Sequence, residues 1–234
     1  MRVLVACEES QTVTKAFRAL GHEAFSCDIL PCSGGHPEWH YQQDVFEVIN
    51  MGWDLMIGHP PCTYLTVTGN KWFYHPEDSD LPLDERRPHP KFPNRRAQRE
   101  EAYEFFMGLM NANIDKIALE NPVGIVSTRF RKPNQIIQPY MFGDEATKTT
   151  CLWLKNLPLL EPTNIVDKGA RTVYASGKSH PTWYAEALTK AKSPEERSTL
   201  RSKTFQGIAD AMAMQWGGDL INQTVDESTR VIRG

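Results

Sequence analysis

The chain has 234 residues, 40% hydrophobic and 24% charged, with a formal net charge of -3; this length can bury a sizeable core, and the balance is that of a globular protein rather than a disordered one. No apolar run nears the ~20 residues that cross a bilayer, Met1 runs directly into a strand rather than a signal peptide, and five dispersed cysteines (Cys7, Cys27, Cys32, Cys62 and Cys151) make no disulfide framework. The expectation is a cytoplasmic chain in which nucleic-acid contacts, if any, come from a local basic segment.

Arg2 to Ala6 reads as a short strand. Glu9 to Leu20 reads as a helix with Val13, Ala16, Phe17 and Leu20 on one face, stopped by Gly21. Ala24 to Asp28 is a second strand, which completes a β-α-β unit. Asp28 stands where nucleotide-binding folds place an acid for ribose hydroxyls, and equally where a surface turn carries an aspartate. The loop from Ile29 to Tyr41 is rich in glycine and proline. Cys27, Cys32, His36 and His40 are residue types that ligate zinc, but their spacing matches no paired-cysteine pattern, so no metal is expected. A polar lid over a cofactor, anchored by Trp39, is the preferred reading, and Asp44 follows it.

Trp53 to Ile57 is the next strand, broken by Pro60 and Pro61 just before Cys62. This puts a thiol at a strand's carboxyl end, where α/β folds keep their chemistry; the competing reading is a small apolar side chain tucked under a turn. Gly69 is a candidate hinge. The proline-dense stretch 72–93 shows no regular element, which in a compact domain marks a functional or disordered loop. In and after it, Arg86, Arg87, Arg95, Arg96 and Arg99 are interleaved with Trp72, Phe73, Tyr74 and Phe92. Such a mixture suits phosphate contacts and base stacking, or is a solvated charge run.

Arg95 to Ala112 is the clearest helix, and Asp115 to Leu119 a buried strand. The latter ends in Glu120-Asn121-Pro122-Val123-Gly124, a second proline-broken strand end. A buried glutamate there is expected to have a raised pKa and to donate a proton. In the C-terminal third, Ser193 reads as a helix N-cap with Pro194 in the first turn, and Phe205 to Trp216 as a docked helix. Pro158 to Ser193 reads as mixed loop.

Pro60-Pro61-Cys62, then a long helix, then a strand ending Glu120-Asn121-Pro122 together resemble the DNA (cytosine-5)-methyltransferase family. The resemblance implies an α/β fold, a doubly wound and mostly parallel sheet with helices on both faces. It implies S-adenosylmethionine as cofactor, held by the Arg2 to Asp28 unit, with Cys7, Glu8, Asp28, Asp44 and Pro60 as contacts. It makes Cys62 the nucleophile that adds to cytosine carbon 6, Glu120 the acid at ring nitrogen 3, Asn121 the residue that orients its loop, and Lys148 the stand-in for an Arg-x-Arg pattern. Thr63, Arg86, Arg87, Arg95 and Arg96 are the expected substrate contacts.

Two departures stand out. The glycine-rich turn of the family reads Cys7-Glu8-Glu9-Ser10-Gln11 here, and too few residues separate Leu154 from the terminal helix for the usual target-recognition domain. The expected organisation is a catalytic domain over 1–217 with a long loop at 72–93, and a loose tail at 218–234. The expected partner is single- or double-stranded DNA or a cytosine nucleotide, whose target base must leave any duplex to reach Cys62. A non-catalytic relative is the reading from another class.

Overall fold

The computed structural model describes residues 1–218; apart from Gly218, the expected tail lies outside the described residues. The helices are α1 (Thr12–Ala19), α2 (Val45–Val48), α3 (Arg95–Met110), α4 (Val126–Arg129), α5 (Thr182–Lys190), α6 (Pro194–Ser202) and α7 (Gln206–Met212), the last continued by a π turn over Ala213–Gly217. The strands are β1 (Arg2–Ala6), β2 (Glu23–Asp28), β3 (His40–Gln42), β4 (Leu55–Gly58), β5 (Lys116–Asn121), β6 (Gln135–Ile137) and β7 (Thr150–Lys155), with a separate hairpin of β8 (Arg171–Val173) and β9 (Ser179–Pro181).

The seven-stranded sheet has the order β3-β2-β1-β4-β5-β7-β6. β1 to β5 pair in parallel, while β7 enters antiparallel between β5 and β6. This is the expected doubly wound, mostly parallel, Rossmann-like sheet. Its central strands are near-continuous apolar runs because both faces are covered. Period-two alternation then splits each run between two cores. Val3, Val5, Leu55 and Ile57 pack with Phe17, Ile208 and Met212 of α1 and α7, whereas Leu4, Ala6, Met56 and Leu119 pack with Val45, Val48, Phe106 and Leu109 of α2 and α3.

Stretch 72–93 is not structureless. Short 3-10 turns span Val67–Trp72 and Pro76–Asp78, and Trp72, His89 and Phe92 cluster with ring centroids 5.2–5.6 Å apart, Trp72 meeting the other two edge-on. Phe73, Asp78 and His89 are buried inside the insert. Asp78 accepts from the Arg87 backbone N–H (2.8 Å) and guanidinium (2.6 Å), and that guanidinium holds its carboxyl down at about 2. Further on, the stretch read as mixed loop contains the β8–β9 hairpin and α5. Ser193 does cap α6, its Oγ accepting from the Glu196 N–H at 3.1 Å. Among the described residues, no helix is long and apolar enough to cross a membrane.

Candidate active site

The site begins with the register of two strands. β4 and β5 run parallel with Gly58 beside Leu119, so the next residue on each, His59 just past the end of β4 and Glu120 next to the end of β5, stands at the same edge of the sheet. The loops that follow are fastened together. Asn121 Nδ2 donates to the Pro60 carbonyl (3.2 Å), Val67 N–H to the Val123 carbonyl (3.2 Å) and Ile125 N–H to the Leu65 carbonyl (2.8 Å). Asn121, expected to orient its own loop, instead holds the loop that carries Cys62. Gly124 lies so close to the same segment that a Cβ would stand 2.0 Å from the Leu65 carbonyl oxygen. Gly124→Ala is therefore expected to force the two loops apart at a cost of about 1–3 kcal/mol. Urea unfolding checks this; unchanged stability would show that the loops are not rigidly docked.

Glu120 Oε2 accepts from His59 Nδ1 at 3.0 Å, and both side chains are largely buried. Burial alone pushes the Glu120 carboxyl up, but Lys148 and the hydrogen bond from His59 outweigh it and hold the group down at about 2. The raised pKa expected for Glu120 is thus reversed: it stands as a carboxylate because two cations face it. Burial pushes the His59 imidazolium down, but Glu120, with a contribution from Glu8, raises it above its ordinary value. Lys148 also donates through Nζ to the carbonyls of Ser202 (3.2 Å) and Lys203 (3.1 Å), which ties the end of α6 to the site.

Cys62 is exposed at this edge. Its crowded surroundings push the thiol up first, and the Glu120 carboxylate pushes it further, while Lys148 and Arg201 oppose. The resting state is therefore a thiol beside a carboxylate, and the thiolate forms only when something changes the charge of its neighbourhood.

A cleft of about 380 Å³ opens beside this pair, with walls from Cys7, Asp28, Ile29, Asp44, His59 and Phe105 among others. It lies outside the carboxyl ends of β1, β2 and β4, where the strand order reverses. Asp28 Oδ1 accepts from the Leu30 N–H (2.9 Å) and Asp44 Oδ1 from the Phe46 N–H (2.9 Å). Between them Ile29, 75% exposed, and Leu30, 49% exposed, present apolar surface.

The turn after β1 makes its left-handed bend without glycine, with φ of 60° at Cys7 and 57° at Gln11. The N–H groups of Cys7 (2.7 Å) and Glu8 (3.2 Å) share the Cys27 carbonyl, which fixes the bend.

Two of the expected cofactor contacts are corrected. Glu8 is buried against α1, its carboxylate accepting from the N–H groups of Val13 (2.7 Å) and Thr14 (3.2 Å), so it closes the helix start rather than facing the cleft. Pro60 is buried with its carbonyl on Asn121, and Pro61 lines the cleft instead. The Cys7 thiol is raised by burial and by Asp28, so it lines the cleft as an inert group.

The zinc-type residues are scattered among other partners. Cys27 Sγ donates to the Gln43 carbonyl (3.4 Å), Cys32 Sγ to Gln11 Oε1 (3.0 Å), and His40 bridges Ser26 Oγ (2.8 Å) and the Leu30 carbonyl (3.0 Å). Among the described residues no three such groups gather to hold a metal. Trp39 stacks on His36 at 3.7 Å and lies under Arg18 at 4.3 Å, so it anchors its loop to α1 and not to a lid over the cleft.

The arginines expected on the substrate serve the insert itself. Arg95 is buried, donates to the Thr63 carbonyl at 3.2 Å and packs over Tyr64 and Phe73. Arg86 donates to the carbonyls of Leu81 (2.7 Å) and Ser79 (2.6 Å), Arg87 clasps Asp78, and Arg96 donates to the Arg86 carbonyl at 2.8 Å. Thr63 remains exposed beside Cys62. Sequence reasoning missed His59, whose signal was its place one residue past β4 and three before Cys62.

No protein-family model and no curated protein matches this chain. Among solved structures it is similar to one described as a DNA modification methyltransferase encoded within an E. coli prophage, at 15% identity and a TM-score of 0.42, covering 71% of this chain and 52% of that one. It is also similar to the S. pombe Dnmt2 methyltransferase, at 14% identity and 0.42, covering 68% and 50%. A third is the Entamoeba histolytica methyltransferase EhMeth, at 12% identity and 0.43, covering 81% and 65%. The chain spans from half to just under two thirds of the length of these structures. The likeness assigns no residue a role.

Proposed function

We propose that this chain is an S-adenosylmethionine-dependent methyltransferase acting on carbon 5 of cytosine in DNA through a covalent Cys62 adduct. The observation that carries the reading is the docking of two consecutive strand ends, one bearing Cys62 and the other Glu120, beside a cleft of nucleoside size. A single thiol at a strand end has many uses. A thiol on one loop and, on the next, a glutamate hydrogen-bonded to a histidine bring together the nucleophile and the proton relay that addition to a pyrimidine ring requires.

The residues of the cleft fit the cofactor. Its volume falls in the range of small-molecule sites, roughly 300–1,000 Å³. Asp28 and Asp44 supply acceptors for ribose hydroxyls and an exocyclic amine, Ile29, Leu30 and Phe105 supply apolar contact for a flat ring, and Pro61 joins the cleft to the Cys62 loop. When bound, S-adenosylmethionine supplies an electrophilic methyl group. Carbon 5 of cytosine is a poor nucleophile until a thiolate has added at carbon 6. Cys62 makes that bond, and Glu120 holds ring nitrogen 3, where the displaced electron density collects. Asn121 keeps the Cys62 loop in register with the acid through the Pro60 carbonyl.

The test is incubation with labelled S-adenosylmethionine and DNA, followed by denaturing gel analysis with fluorocytosine DNA. Transfer of label together with a covalent complex lost in a Cys62 variant is expected; absence of both overturns the reading. Asp28→Ala is expected to weaken cofactor binding about 10- to 100-fold, the worth of one hydrogen bond to a charged group, as measured by calorimetry. Wild-type protein that binds no cofactor points to the non-catalytic relative.

A second reading has its own observation. Arg86, Arg87, Arg95 and Arg96 all hold the insert together, which favours a substrate smaller than duplex DNA, such as a cytosine nucleotide or a single strand. Duplex, single strand and free nucleotide tested side by side separate the two.

A further inference from the structure

We propose that His59 is the proton store for the site: its imidazolium supplies, through the Glu120 carboxyl, the proton that the substrate's ring nitrogen takes up when Cys62 adds to the base. The inference rests on the proposed cytosine chemistry and names a positioning residue that this chemistry has not so far been assigned.

Three observations carry it. First, His59 Nδ1 lies 3.0 Å from Glu120 Oε2, and both side chains are largely buried. Second, His59 borders the cleft with Cys7 and Pro61 while its ring reaches Glu120 on the other side, so it stands between the cofactor cleft and the acid. Third, its Nε2 is buried without a hydrogen-bond partner among the described residues. His40, by contrast, spends both ring nitrogens, on Ser26 and Leu30. His59 spends one, and spends it on the acid.

Charges reach His59 from every side. Burial and Lys148 before β7 oppose its protonated form, and Glu120 near the end of β5 and Glu8 after β1 favour it. The two carboxylates outweigh burial and the ammonium, which raises the imidazole above its ordinary value and suits it to hold the proton. The Glu120 carboxyl alone holds none, because Lys148 and His59 keep it ionised.

The step balances without any further reactant. The Cys62 thiol loses its proton to solvent, to which it is exposed. The sulfur lone pair forms the bond to carbon 6, the C5=C6 pair moves to C4–C5, and the C4=N3 pair moves onto nitrogen 3. Nitrogen 3 takes a proton from the Glu120 carboxyl, which takes one from His59 Nδ1. Glu120 is a carboxylate before and after, and His59 ends as neutral imidazole. Release of the base returns the proton by the same path.

The experiment compares wild type with His59→Asn, whose amide can still donate to Glu120 but cannot give up a proton at any accessible pH. Methyl transfer to the substrate on which wild type is active is measured from pH 5 to 9. In wild type, kcat is expected to carry a limb that falls as pH rises, when the imidazolium is lost. In His59→Asn, kcat is expected to drop about 100-fold and that limb to vanish, while KM for the cofactor changes little. An active wild type with an unaltered pH profile in His59→Asn overturns the role of His59 alone. A wild type that transfers no methyl group to any arm overturns the proposed function itself. Where His59→Asn fails to fold, nitrogen-15 titration of the histidines decides: His59 in the wild type is expected to stay protonated above pH 6.5 and to lose this in Glu120→Gln, and a neutral His59 at pH 6.5 overturns the proposal.

Discussion

Cys62→Ser is expected to abolish covalent capture of fluorocytosine DNA and to lower methyl transfer by on the order of 10³-fold or more, the scale on which removing a nucleophile acts. Serine keeps the size but not the chemistry, because its hydroxyl ionises far too weakly to add to a pyrimidine. Cys62 is exposed and supports no core contact, so the fold should be unaffected, with stability within about 0.5 kcal/mol of wild type. A thermal melt beside the transfer assay separates lost chemistry from lost structure. The sign of the pH dependence follows from the neighbours. Crowding and the Glu120 carboxylate both hold the thiol up, so kcat/KM should rise as pH rises toward the thiol's raised value. The two effects are coupled: each time Glu120 takes a proton, the charge that suppresses the thiolate disappears. A substrate that draws a proton through Glu120 thereby activates its own nucleophile. If Cys62→Ser transfers methyl groups at the wild-type rate, the thiol has no covalent role.

The central sheet was readable because its signals are local and periodic. Val3 to Ala6 and Leu55 to Gly58 are continuous apolar runs, and Pro60-Pro61 and Pro122 break the backbone in a way no strand tolerates. Those breaks place Cys62 and Glu120 at one edge of the sheet from the sequence alone. What could not be read is what depends on contacts distant in sequence. Glu8 stands where a cofactor contact is expected, but two residues of α1, Val13 and Thr14, turn it inward through three hydrogen bonds, next to the αL bends at Cys7 and Gln11. The insert at 72–93 has no period, since its order comes from the Asp78–Arg87 clasp and from rings that meet across a turn. Its arginines read as a binding surface because composition cannot distinguish a guanidinium facing solvent from one spent on a carbonyl. The charge state of Glu120 was likewise beyond reach: burial alone predicts a raised pKa, and the reversal needs both Lys148, 28 positions away, and His59, 61 positions away.

Glu120→Gln should lower methyl transfer about 10²- to 10⁴-fold, the range of a general acid, and should also reshape stability against pH. Glu120 is held well below an ordinary carboxylate near 4.3, so its contribution is present above about pH 4.3 and is lost as pH falls toward about 2. His59 is held above its ordinary value near 6.5. Its contribution is complete below that value and is lost as pH rises through the raised one. The pair therefore stabilises the fold most between about pH 4.3 and 6.5, where acid and base limbs are both intact. Glutamine keeps an acceptor for His59 but removes the charge, which leaves a buried imidazolium facing Lys148 with only Glu8 to offset it. On the order of 1–3 kcal/mol should be lost at pH 5.5, less than the 3–5 kcal/mol typical of breaking a buried pair outright, and progressively less as pH rises through the raised His59 value, where the wild-type imidazole becomes neutral. Urea unfolding at a series of pH values measures the difference. Parallel curves for the two proteins would mean that the His59–Glu120 contact carries no charge, and the proton supply argued from it would fail with it.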